Sequence, residues 1–112
     1  MNVALFFGSF NPLHNGHLSI ANYMYNHFSL DEIWFVLSPL NPLKKENDLL
    51  PEHQRLKLLE AGIQSYSFFK VSTMEFELPK PSYTYYSLRE FVKRHPDISF
   101  SIIMGNDAMF NI

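Results

Sequence analysis

The sequence contains no cysteine, few charged residues and no long hydrophobic run. Without cysteine there is no disulfide framework, no thiolate nucleophile and no cysteine-based metal site. Charged residues make up only 18% and the formal net charge is -2, so any phosphate site must be local and nonspecific binding of nucleic acid is disfavoured. The apolar run from Val3 to Phe7 is too short for a signal peptide or a membrane span, which favours a cytoplasmic location.

The residues that are present indicate one folded domain over residues 1–112. Apolar residues make up 46% of the 112 residues, which is enough for one sizeable core, and the chain is too short for two domains. Continuous apolar runs at 3–7 and 33–37 predict strands that are buried on both faces of a parallel sheet. Between these runs, helical spacing of apolar residues completes a β-α-β unit, with Leu18, Ala21, Met24, Tyr25 and Phe28 on the helix.

The remainder of the chain predicts two more helices and three more strands. The first is a helix that begins at Pro51, with Leu56, Leu59 and Ile63 on its apolar face, and short strands follow at 68–71 and 74–78. The second helix covers 83–94, is capped by Ser82 and directs Leu88, Phe91 and Val92 inward. The last strand is predicted at 99–104. Further core residues are predicted to include Phe28, Phe35, Phe91 and Phe100.

The order of these elements predicts an α/β fold with three layers and a mostly parallel sheet. Such sheets bind ligands at the carboxyl ends of their strands, near the point where the strand order reverses. We expect four loops to meet at that edge, which are residues 8–17, 38–45, 81–84 and 105–107.

His14 and His17 are the candidate catalytic residues. They are three residues apart around Gly16, where the loop after the first strand enters a helix. An imidazole can donate a hydrogen bond to a phosphate oxygen, and when protonated it adds positive charge where a transition state gains negative charge. Two surface histidines at a turn would be the ordinary interpretation of an isolated pair, and zinc binding is less favoured because no third ligand lies nearby in the sequence.

Residues around these histidines are candidates for binding the phosphates of a nucleotide. Gly8 and Gly16 allow close approach of the backbone, and Ser9 and Phe10 would present N–H groups near the positive end of the helix dipole. Lys44 lies in a proline-bounded loop at the same edge, where its ammonium group could meet a triphosphate.

Two later segments are weaker candidates when each is taken alone. Pro81-Ser82-Tyr83-Thr84 opens a predicted helix and could bind an anion or an aromatic acid, although a simple helix cap is the better interpretation. Gly105-Asn106-Asp107 follows a strand, where an acidic side chain commonly binds a ribose hydroxyl.

The pattern Gly-x-Phe-x-Pro-x-His-x-Gly-His at 8–17 resembles the signature of the nucleotidyltransferases, which move a nucleotide monophosphate from a triphosphate to a phosphate-bearing acceptor. Ser-Pro-Leu-Asn-Pro-Leu-Lys at 38–44, Pro-Ser-Tyr-Thr at 81–84 and Met-Gly-Asn-Asp at 104–107 extend the resemblance along the whole chain. Together these segments are similar to the N-terminal part of the bacterial nicotinate mononucleotide adenylyltransferases.

This resemblance implies a Rossmann-like nucleotidyltransferase fold that converts ATP and nicotinate mononucleotide to deamido-NAD and pyrophosphate, with Mg²⁺ accompanying ATP. It implies that ATP and a pyridine mononucleotide are the partners, without nucleic acid or membrane. The implied roles place His14 and His17 on the ATP phosphates, Gly8, Ser9 and Phe10 along the nucleotide, Tyr83 and Thr84 by the pyridine ring, and Gly105 and Asp107 by the adenosine ribose.

Relatives in this family also carry a later Ile-Ser-x-Thr-x-x-Arg segment, which the 112 residues do not contain. We therefore expect the C-terminal part of the domain to be missing, with the next helix beginning near residue 112. Two alternatives stay open: a nucleotide-binding fragment without turnover, and an adenylyltransferase for another acceptor, such as nicotinamide mononucleotide or a phosphopantetheine.

Overall fold

The computed structural model describes residues 1–39, 50–78, 84–104 and 108–111. No helix within these ranges is long and apolar enough to cross a membrane. In chain order the elements are β1 (Asn2–Gly8), α1 (Asn15–His27), β2 (Glu32–Leu37), α2 (Glu52–Ile63), β3 (Phe69–Ser72), a short 3₁₀ helix (Met74–Glu77), α3 (Thr84–Arg94), β4 (Ser99–Met104) and β5 (Ala108–Asn111).

The strands form one sheet of five in the order β3-β2-β1-β4-β5. β1 is parallel to β2 and to β4, β2 is parallel to β3, and β5 is antiparallel to β4. The chain therefore builds outward from β1 to β3 and then crosses to the other side of β1. The carboxyl ends of β1 and β4 flank this reversal, which is where open α/β sheets bind ligands.

Each face of the sheet buries its own hydrophobic cluster. On one face, Ala4 and Phe6 of β1 share a cluster with residues of α1 and α2, and on the other face Val3 and Leu5 share a cluster with Phe91 of α3. These five residues are at most 5% exposed. The alternation arises because successive side chains of a strand point to opposite faces. The predicted three-layer α/β fold is confirmed, with α1 and α2 on one side and α3 on the other.

The segment 74–78 is not the strand that its apolar residues predicted. Met74–Glu77 forms a 3₁₀ helix, in which the N–H of Phe76 donates to the carbonyl of Thr73 at 2.9 Å. Met74 and Glu75 are adjacent and both buried, at 5% and 2% exposure. A half-exposed strand would have buried only alternate residues, so the burial of a glutamate here was not visible in the hydrophobic pattern.

Three smaller predictions were also wrong, and one strand was not predicted. Val92 and Phe28 are 46% and 43% exposed, because α3 turns Ser87 and Phe91 inward and Phe28 lies at the end of α1. Pro51 is the N-cap of α2, which begins one residue later at Glu52. No strand was predicted at 108–111, where β5 continues the sheet from β4 by antiparallel pairing.

Candidate active site

A cleft of about 590 Å³ opens at the carboxyl end of β1. Its walls come from the last residues of β1, the following turn and the first turns of α1. The residues that line it are Phe6, Phe7, Gly8, Ser9, Phe10, Asn11, Pro12, His14, Gly16, His17 and Ile20. Six predicted site residues are thus brought together at the edge of the sheet where the strand order reverses, and α1 begins there.

His14 and His17 cap the N-terminus of α1 in a reciprocal arrangement. The Gly16 N–H donates to Nδ1 of His14, and the His14 N–H donates to Nδ1 of His17, each at 3.0 Å between nitrogen atoms. The two imidazole rings stack with their centroids 3.8 Å apart. This is the logic of a capping box, in which two side chains satisfy backbone N–H groups that the helix leaves without partners, performed here by two histidines.

These hydrogen bonds determine which ring nitrogens are available to a ligand. Nδ1 accepts a backbone hydrogen bond in both rings, so the neutral imidazoles carry their proton on Nε2. Burial lowers the pKa of His17, and the nearby His14 lowers it further. With both Nδ1 atoms accepting from the backbone, the site offers two Nε2–H donors, an arrangement that can hydrogen-bond an anion.

The ring of Phe10 packs against the ring of His17. Its φ of 42° lies in the left-handed region, which is uncommon for a bulky residue and turns the ring into the core, where it is 2% exposed. There it meets the ring of His17 edge-on, with centroids 5.0 Å apart. A Cβ on Gly8 would lie 3.2 Å from Cζ of Phe10, so the glycine makes room for this ring.

Gly16 is required for a different reason. A Cβ at this position would lie 2.7 Å from Cε1 and 2.9 Å from Nδ1 of His14. The side chain of His14 folds over the backbone of Gly16 to reach its N–H, and only glycine leaves the space for it.

Arg55 is the most informative residue that the sequence reasoning missed. It is 1% exposed, and its guanidinium donates to the carbonyls of Leu50, Ser9, Ser38 and Pro39 at 2.8–3.0 Å. Burial lowers the pKa of Arg55, and the carboxylate of Glu52 opposes that shift. The signal was present in the sequence, because Arg55 stands four and eight residues before Leu59 and Ile63 and so shares their buried face of α2.

Glu75 is a second buried charged residue that was missed. Its carboxylate accepts hydrogen bonds from the hydroxyl of Ser38 at 2.9 Å and from the hydroxyl of Ser87. It therefore ties the end of β2 to the 3₁₀ helix and to α3. No group of three or more side chains able to hold a metal ion is present in the part of the chain that the structure describes.

Comparison with known proteins identifies the family of this chain. The sequence-family model of the cytidylyltransferase-like proteins matches residues 5–112. The chain belongs to the cytidylyltransferase-like family. The matched range includes the second half of β1, the residues that line the cleft and every predicted site residue.

Individual curated relatives show a more specific resemblance within this family. A protein of Flavobacterium johnsoniae named "Probable nicotinate-nucleotide adenylyltransferase" is 46% identical over 109 residues, and one of the same name from Cytophaga hutchinsonii is 48% identical over 109 residues. Each alignment covers 97% of this chain, and 56% and 57% of the relatives. The chain thus spans a little over half the length of these relatives, and the resemblance inferred from its motifs is confirmed.

Solved structures confirm the fold. Plasmodium falciparum nicotinic acid mononucleotide adenylyltransferase complexed with NaAD superposes with a TM-score of 0.75 at 21% identity, covering 90% of this chain and 50% of that chain. A structure from Vibrio parahaemolyticus superposes with a TM-score of 0.77 at 24% identity, covering 95% and 61%.

Of the remaining five predicted site residues, the structure describes only Thr84. Lys44, Tyr83, Gly105 and Asp107 lie outside the described residues, so the meeting of four loops stays a prediction. Thr84 is the first residue of α3, is exposed and is not among the residues that line the cleft.

Proposed function

We propose that this chain binds ATP at the β1–α1 cleft and transfers its adenylyl group to nicotinate mononucleotide, giving deamido-NAD and pyrophosphate. The pair of Nε2–H donors at the N-terminus of α1 is the observation that carries this proposal, because it combines an anion-binding helix end with two directed donors. The names of the relatives support the pyridine mononucleotide as acceptor.

The reaction requires one bond to form and one to break at the α-phosphorus of ATP. A phosphate oxygen of the acceptor attacks that phosphorus in line, the bond to the bridging oxygen of the β-phosphate breaks, and pyrophosphate leaves with the electron pair. The protein contributes position and charge stabilisation. His14 and His17 donate Nε2–H bonds to phosphate oxygens, and the backbone of Gly8, Ser9, Phe10 and Gly16 lies along the nucleotide.

The other predicted residues complete the proposal. Lys44 contacts the phosphates, Gly105 and Asp107 the ribose, and Tyr83 and Thr84 the pyridine acceptor. The described lining of the cleft has no carboxylate, whereas Mg²⁺ prefers oxygen ligands and is often held by substrate phosphates. The described residues therefore fit a metal that arrives bound to the triphosphate, where it would neutralise phosphate charge.

The test is pyrophosphate release from the purified chain with ATP, Mg²⁺ and nicotinate mononucleotide, with nicotinamide mononucleotide and phosphopantetheine as rival acceptors. We expect turnover to favour nicotinate mononucleotide and His17→Ala to reduce it about a hundredfold or more, the scale for losing one directed donor. His27→Ala, at the far end of α1, is the matched control. Full activity in His17→Ala would contradict the role of His17.

A second candidate function is nucleotide binding without turnover. It is favoured by the described lining of the cleft, which includes His14 and His17 for the phosphates but not Thr84, the described residue predicted to contact the acceptor. Calorimetric binding of Mg²⁺-ATP without pyrophosphate release would select this candidate over the first, and preferred turnover of another acceptor would correct the acceptor alone.

A further inference from the structure

Arg55 is a buried cation that the proposed chemistry does not use. Its four carbonyl acceptors belong to three separate stretches of chain: Ser9 after β1, Ser38 and Pro39 after β2, and Leu50 before α2. One side chain of α2 thus holds together the loops that leave two neighbouring strands at the edge of the sheet where the cleft opens.

The shape of the guanidinium makes this connection specific. Nε donates to Leu50 at 2.9 Å, Nη1 donates to both Ser9 and Ser38 at 2.8 Å, and Nη2 donates to Pro39 at 3.0 Å. The donors of a guanidinium point in fixed directions within one plane, so these carbonyls are held at fixed positions relative to one another. An ammonium group on a flexible stem cannot reproduce this pattern.

The burial of the Arg55 charge indicates that the role of this side chain is to form these hydrogen bonds. A buried cation is unfavourable unless it is hydrogen-bonded, and Arg55 is 1% exposed. An apolar side chain at the same place would extend the face made by Leu59 and Ile63 without that penalty.

The contact with Ser9 acts directly on the wall of the cleft. The Ser9–Phe10 peptide bond is trans, as is every described peptide bond except Asn11–Pro12. A planar trans peptide points its N–H opposite to its carbonyl, so anchoring the Ser9 carbonyl on Arg55 directs the Phe10 N–H away from the guanidinium. Ser9 and Phe10 both line the cleft, and the ring of Phe10 supports His17.

We propose that Arg55 is a positioning residue, which fixes the Ser9–Phe10 wall of the cleft against the Ser38–Pro39 loop so that the site fits the phosphates of a nucleotide. Arg55 touches neither substrate nor reacting atoms, and its effect passes through the backbone of the loops. This inference rests on the proposed function.

The experiment compares Arg55→Lys and Arg55→Gln with Lys57→Met in the full chain. Lys57 is exposed on the same helix, so Lys57→Met removes a charge from α2 without touching the loops. Binding of Mg²⁺-ATP is measured by calorimetry well below the Tm of each variant, where all are folded. Amide NMR shifts of Ser9, Phe10 and His17 are recorded with and without Mg²⁺-ATP.

We expect Arg55→Lys to bind Mg²⁺-ATP about 10-fold to 100-fold more weakly than the parent, the scale for a site displaced by about 1 Å. Its Ser9 and Phe10 amides should also shift before any ligand is added. Lys57→Met should bind like the parent. If folded Arg55→Lys binds like the parent with unchanged amides, Arg55 only stabilises the fold and the proposal is wrong.

Two further outcomes also test the positioning role of Arg55. If neither Arg55 variant folds, the unmodified chain provides the test: the guanidinium resonances of Arg55 and the Phe10 amide should shift together when Mg²⁺-ATP binds, and independent behaviour overturns the proposal. If the parent does not bind Mg²⁺-ATP, the proposed function fails, and the ligand-free amide shifts of Arg55→Lys then decide whether Arg55 fixes the loop.

Discussion

The surroundings of His17 in the folded chain favour the neutral form of its imidazole. Its Nδ1 accepts the His14 N–H, and burial, followed by the proximity of His14, lowers its pKa below 6.5. Because the folded pKa lies below the unfolded value, the unfolded chain binds more protons between the two. The stability from neutral His17 is therefore complete above pH 6.5 and is lost as the pH falls through the folded pKa.

This placement predicts the effect of removing the neighbouring ring. His14→Ala takes away a stacked imidazole that both covers His17 and repels its protonated form, so the pKa of His17 should rise towards 6.5. NMR titration of the ring nitrogens measures it, with His27→Ala as the control on the same helix. A His17 pKa that is unchanged in His14→Ala would show that the pair is not coupled.

Gly16 allows a residue-scale test that separates the helix from the site. Alanine is a better helix former than glycine by about 1 kcal/mol, yet its Cβ would lie 2.7 Å from the ring of His14. Gly16→Ala should therefore change Tm little while it displaces His14 and weakens binding of Mg²⁺-ATP by about tenfold. Ser19→Ala, on an exposed position of α1, is the control, and unchanged binding in Gly16→Ala would argue against a role for the placement of His14.

At the scale of elements, the 3₁₀ helix presents two glutamates with opposite surroundings. Glu75 is 2% exposed and accepts from Ser38 and Ser87, whereas Glu77 is exposed and pairs with Arg94 at 3.2 Å. Glu75→Ala should lower the free energy of unfolding by about 1–3 kcal/mol, since it removes hydrogen bonds to the buried Ser87 hydroxyl and the half-buried Ser38 hydroxyl. Glu77→Ala should lower it by less than about 1 kcal/mol, as expected for a surface ion pair.

Urea denaturation of these two variants measures the difference. They are two residues apart in one turn, so they share the same backbone and differ mainly in burial. Equal midpoints would mean that Glu75 does not join the 3₁₀ helix to α3 and to the end of β2.

The elements that the sequence predicted well are those whose signal is local. The strands at 2–8, 32–37 and 99–104 and the three helices follow from apolar runs and helical spacing, to within a few residues at their ends. The start of α1 near His14 and His17 follows from the motif, whereas the reciprocal cap that the two side chains form was not predicted. Helical spacing could have shown that Arg55 is buried. The partners of Arg55 and Glu75, however, are backbone carbonyls and hydroxyls 5 to 46 residues away in sequence, which no local pattern shows.

At the scale of the whole molecule, the cleft lies at the end of β1, the central strand of the described sheet. β1 is hydrogen-bonded on both sides, to β2 and β4, and Val3, Ala4 and Leu5 are 0% exposed between two clusters on opposite faces. β3 is an edge strand in the described sheet, and two of its four residues, Val71 and Ser72, are half-buried. A loop that begins at the end of a central strand is attached to a rigid element, as a preorganised site requires.

This arrangement predicts the order in which backbone amides exchange with solvent. Amides of β1 should exchange only through global unfolding, whose free energy for a domain of this size is about 5–15 kcal/mol, whereas those of β3 should also exchange through local opening. Native-state hydrogen exchange read by NMR measures both, with mild denaturant to distinguish the two routes. If β3 were protected as strongly as β1, the edge would be as stable as the centre, and the position of the cleft beside β1 would no longer explain a rigid site.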